Sequence, residues 1–74
     1  MQRVLLQTLS MLMAALIGAT DWGKARDVVV RLMDADLPGT AKRDLAVAAL
    51  RDAGVTLRGA VLNLAIEAAV VWAT

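Results

Sequence analysis

The chain has 74 residues, no Cys, no His, and a net charge of +1 from eight basic and seven acidic side chains. So short a chain has a marginal core, and with neither thiol nor imidazole no disulfide or structural zinc site can reinforce it. Balanced charge excludes the basic footprint of a nucleic-acid binder, and 59% apolar residues leave association as the route to a stable fold.

Charge is unevenly spread. Residues 1–20 carry only Arg3 and residues 59–74 only Glu67, while the other thirteen charged side chains lie between Asp21 and Arg58. Two nearly uncharged ends flank a charged middle. Ala is abundant and favours helix, and Trp22 and Trp72 are the only aromatics, so strand-forming aromatics are missing. The pattern predicts an all-α fold of four helices, about 3–19, 22–35, 41–53 and 57–73, in one domain that forms a small bundle or a helical oligomer.

The first predicted helix has polar positions Arg3, Gln7 and Ser10 at helical spacing. Ser10, Ala14 and Gly18 make a small-residue ladder that lets two helix backbones approach closely. Leu9, Met13 and Ile17 flank it, and together these six residues are the candidate contact surface of residues 1–20. The run of about 16 mostly apolar residues is roughly 24 Å long, short of the roughly 20 residues a membrane span needs. It remains a possible anchor. Met1-Gln2-Arg3, an apolar run and Gly18-Ala19 also have the outline of a signal peptide, but the expectation here is a retained helix.

Thr20 or Asp21 is the expected cap of the second helix. Trp22, Ala25, Val28, Val29, Leu32 and Met33 form its apolar face, and Lys24, Asp27, Arg31 and Asp34 the opposite one. Asp27 and Arg31 have the favourable i,i+4 order. Pro38 and Gly39 break the chain, and Thr40 is the expected cap of the third helix. Gly54 fits the left-handed position that ends that helix, with Val55 closing onto Leu50. Thr56 is the expected cap of the fourth.

The fourth helix has two apolar seams. Leu57, Val61, Leu64, Ala68 and Val71 form one, and Leu62, Ile66, Ala69 and Ala73 the other. The first seam, with Trp72, completes the candidate contact surface. Glu67 has no basic residue within one turn of its own helix, so it is expected to be a buried carboxylate that pairs with Arg3, Arg58 or a neighbouring subunit, the alternative being a functional role in a membrane or a switch.

Motifs for chemistry are incomplete. Gly18 to Ala25 matches most of a phosphate-loop pattern, but Ala25 replaces the hydroxyl that holds magnesium, so a turn between helices is expected and no nucleotide. Asp34 and Asp36 begin like a calcium loop, but Leu45 stands where its last carboxylate belongs. Ser10 is the only Ser, and no base other than a carboxylate is present. The reading is a non-enzymatic protein without metal or cofactor.

From Trp22 on, the chain resembles small phage-encoded proteins, most nearly the C-terminal region of the LLH-type phage holins. The matching residues are Gly39-x-x-Lys42-Arg43, Ala46-Val47, Gly54-Val55 and the closing stretch from Leu62 to Val70, with Ile66-Glu67-Ala68-Ala69-Val70 at its end. In that family a hydrophobic anchor precedes these elements; here the anchor is short and meets the second helix with almost no connector. The resemblance implies phage origin and oligomeric action in or near the host inner membrane, without a chemical step. The alternative is a virion or assembly component, or a small inhibitor, that uses the same apolar helices on a protein partner in the host cytoplasm or virion.

Overall fold

The computed structural model describes residues 2–74 and contains α1 (Gln2–Ile17), α2 (Ala19–Met33), α3 (Gly39–Asp52) and α4 (Gly59–Ala73). The all-α class and the four-helix order are those expected from the sequence. The starts of the last three helices differ, each for a backbone reason.

Gly18 alone separates α1 from α2. Its φ of 93° and ψ of 146° lie outside the helical region. Its amide still donates to the Ala14 carbonyl at 2.9 Å, and its carbonyl accepts from the Trp22 amide at 3.0 Å. One residue therefore closes one helix and opens the next. Thr20 and Asp21 are inside the first turn of α2, not at its cap, and no side chain caps this end. Asp21 there places a carboxylate near the positive end of the helix.

The third helix begins at Gly39, directly after Pro38, whose φ of −58° and ψ of 152° make it the cap residue. The Pro38 carbonyl accepts the Lys42 amide at 3.0 Å, so Gly39 continues the helix and Thr40 does not cap it. A proline needs no amide partner and its fixed φ suits this place. In α4 the extended residue Arg58 takes the cap position, and its carbonyl accepts the Leu62 amide at 2.8 Å. Thr56 lies two residues before it and makes no cap bond.

Helix ends are answered by lysines and by a glycine turn. Lys24 Nζ, near the start of α2, donates to the Ala53 carbonyl at 2.7 Å, and Lys42 Nζ, near the start of α3, donates to the Met33 carbonyl at 3.2 Å. Each lysine reaches the end of the other helix, so α2 and α3 run antiparallel, and each cation sits where the helix dipole favours it. Gly54, at φ 89°, ends α3 as expected. The Val55 amide donates to the Leu50 carbonyl and the Gly54 amide to the Arg51 carbonyl, both at 3.0 Å, the two bonds of a Schellman closure. The i,i+4 pair Asp27–Arg31 does not close; Arg43–Glu67 is the ion pair among the described residues.

The core draws on every helix. Trp22, Ala25 and Val29 come from α2, Ala46 and Leu50 from α3, and Leu62, Ala65, Ile66, Ala68 and Ala69 from α4. From α1 only Met13 is fully buried. Among the described residues the second helix touches the other three, α1 and α3 do not meet, and α3 and α4 meet least among the pairs in contact. The radius of gyration is 11.6 Å, close to the roughly 11 Å expected of a compact chain of this length.

Candidate functional site

Helix α1 has an inner and an outer side. Met13 is buried, and Leu9, Ala14 and Ile17 pack half-buried against the core. Opposite them, Val4, Leu5, Met11, Leu12 and Leu16 are 63–73% exposed. Their numbering repeats at helical spacing, so they form one stripe along four turns. Thr8 and Ala15 complete it, and the Thr8 hydroxyl donates to the Val4 carbonyl at 2.9 Å. The stripe carries no charge. Five large apolar side chains, each about two-thirds exposed, present on the order of 500 Å² of apolar surface, the upper end of what a monomer usually shows.

This is not the surface expected from the sequence. Met13 lies in the chain's own core, and Leu9, Ala14 and Ile17 face it. Ser10 and Ala14 are half-buried, and Gly18 is an exposed junction with nothing within 4 Å of a Cβ built there, so the three residues do not form one close-packed ladder. The two seams of α4 also separate. Leu62, Ile66 and Ala69 are core, and Ala73 packs half-buried beside them. In the other seam Ala68 is buried, Leu57 and Val61 are half-buried, and Leu64 and Val71 are 46% and 57% exposed. Trp72 is half-buried, with the Arg26 guanidinium 4.9 Å from its ring centroid. Only Leu64 and Val71 of the candidate contact residues are both large and exposed.

The outer residues of α1 were missed because the helix is apolar nearly all round. Its polar stripe of Arg3, Gln7 and Ser10 runs along the edge between the two sides, so it marks neither. With Met13 buried, Val4, Met11 and Ala15 lie diametrically outward on the helix, a placement that periodicity alone does not mark.

Glu67 is exposed, not buried. It accepts a 2.6 Å bond from Arg43 Nη2, with the two side chains 60% and 46% exposed. The partner comes from α3 and is neither Arg3 nor Arg58. A solvated pair of this kind contributes at most about 1 kcal/mol. Glu67→Gln is therefore expected to move the urea midpoint only slightly; a loss above about 2 kcal/mol would reveal a role that a surface ion pair does not have. The pair lines an open apolar groove of about 510 Å³, walled by Val29, Leu32, Met33, Ile66, Val70 and Val71. The groove is bordered by α2, α3 and α4. Among the described residues no three candidate ligands gather as a metal site would require.

No family model, curated protein or solved structure matches this chain.

Proposed function

We propose that this chain is a non-enzymatic helical protein that acts by association, with the outer side of α1 as the contact surface between copies. The observation that carries this reading is the uncharged stripe of Val4, Leu5, Met11, Leu12 and Leu16, exposed to solvent in the isolated chain. Two such stripes packed together remove about 1,000 Å² from water in total, the size at which a specific interface becomes stable. A two-fold arrangement lets each stripe meet its own copy.

The resemblance to phage holins sets this proposal in a phage, either holin-like at the host inner membrane or in a virion or assembly particle. Among the described residues no helix is long and apolar enough to cross a membrane. In the holin-like form, α1 therefore lies along the headgroup region with its stripe toward the acyl chains. That form draws on the same lack of charge in the stripe.

Light scattering in plain buffer tests the association. The chain is expected to have the mass of an oligomer, and Leu5→Glu/Leu12→Glu to have the mass of one copy with unchanged helical circular dichroism. Glutamates at two-thirds-exposed positions spare the core but cannot be buried in an apolar contact. Flotation with vesicles separates the membrane form. A wild-type chain that is monomeric at 100 μM and does not float, as a round order-of-magnitude choice well above a micromolar dissociation constant, would refute both forms.

A further inference from the structure

Beside α1 lies a second cleft, of about 610 Å³, lined by Arg3, Leu6, Gln7, Ser10, Met11, Arg26 and Trp72. The guanidinium carbon of Arg26 stands 5.7 Å from the centroid of Trp22 and 4.9 Å from that of Trp72. Two indole rings hold a cation well, but they supply no counter-charge. Among the described residues Arg26 Nε is enclosed without a hydrogen-bond partner, and so is Ser10 Oγ. Among the same residues neither Arg26 nor Arg3 makes an ion pair, and no acidic one lines the cleft. Two arginines and the Gln7 amide therefore line one space with no anion in its described walls, and the unpartnered Ser10 hydroxyl and Arg26 Nε lie enclosed behind it.

We propose that this cleft binds an oxyanion of the phosphate class that carries an apolar substituent. Guanidinium groups match phosphate oxygens with paired donors. A carboxylate would balance one of the two arginines, whereas a phosphate monoester balances both. The space is many times the roughly 30 Å³ share of one water, so it admits more than a bare ion. Leu6, Met11 and the face of Trp72 give the substituent an apolar wall. A phosphatidic acid headgroup and a soluble organic phosphate monoester both present this chemistry. The cleft shares Met11 with the outer side of α1, whereas Arg3, Gln7, Ser10, Arg26 and Trp72 lie outside that stripe.

Trp72 in the wall provides the readout. The full chain would be titrated with phenyl phosphate, with inorganic phosphate, with chloride at matched ionic strength, and with phosphatidylcholine vesicles with or without phosphatidic acid. A saturable change in tryptophan emission is expected with phenyl phosphate, at least about tenfold tighter than with inorganic phosphate, and none with chloride. Arg3→Gln and Arg26→Lys are each expected to weaken it about tenfold or more; the first is at an exposed position and the second keeps the stacked cation while removing the fork. Response to phenyl phosphate assigns a soluble ligand. Response only to the vesicles containing phosphatidic acid, lost in the same two variants, assigns a headgroup. Silence toward every phosphate probe, or equal responses in wild type and both variants, would overturn the proposal. Light scattering on the same samples reads association separately, so the failure of either idea is recognisable.

Discussion

Leu50→Ala is expected to remove about half of the stability of this protein. Leu50 is 0% exposed and is one of the largest side chains wholly enclosed by the fold. It also sits where α3 turns back on itself, with its carbonyl held by the Val55 amide. Truncating a buried Leu to Ala costs about 2–5 kcal/mol, the higher values where the site cannot collapse. A domain of this size has roughly 4–11 kcal/mol in total, at the usual stability per residue. The buried cluster to which it belongs includes Ala25, Ala46, Ala65, Ala68 and Ala69, short side chains that have no length with which to fill a cavity. Urea unfolding followed by tryptophan emission should show the midpoint fall accordingly. Leu45→Ala, on the same helix but 46% exposed, is the control and should cost less than about 1 kcal/mol. Equal losses at the two positions would contradict the burial of Leu50.

What the sequence reveals and what it hides follow from how local each signal is. The end of α3 was legible because Gly54 and Val55 carry the whole motif within two residues: a left-handed glycine and an apolar residue to close on Leu50. The break around Pro38 was legible for the same reason. Cap positions were not, since Thr20, Thr40 and Thr56 are all good caps and the backbone uses Gly18, Pro38 and Arg58 instead. Those choices depend on how each helix enters the bundle. The Arg43–Glu67 pair and the two lysine hooks join residues 9 to 29 positions apart, so only the assembled fold brings them together. The outer side of α1 stayed hidden because apolar residues surround the helix, and periodicity identifies a face only where its opposite differs.

Gly18→Ala is expected to act on the architecture itself. Gly18 has φ 93° and ψ 146°, a region near the extended left-handed corner that only glycine occupies readily. A Cβ built there meets nothing within 4 Å, so the cost is backbone strain, about 1–3 kcal/mol, and not a clash. Relief is available: an alanine at this junction, in the ordinary helical conformation, would join α1 and α2 into one rod spanning both helices. That rod would pull Met13 and Ile17 away from the core and expose them. The expected signature is retained far-ultraviolet helicity with a weakened near-ultraviolet tryptophan signal and a larger apparent mass. Gly59 gives the contrast. It also has open space around its Cβ position but no positive φ, so Gly59→Ala should stabilise by about 0.4–1 kcal/mol. Opposite signs at two glycines of equal steric freedom would locate the difference in the backbone alone. Stabilisation at both would mean that the chain does not turn at Gly18 in the way described, and the outer side of α1 would have to be redrawn with it.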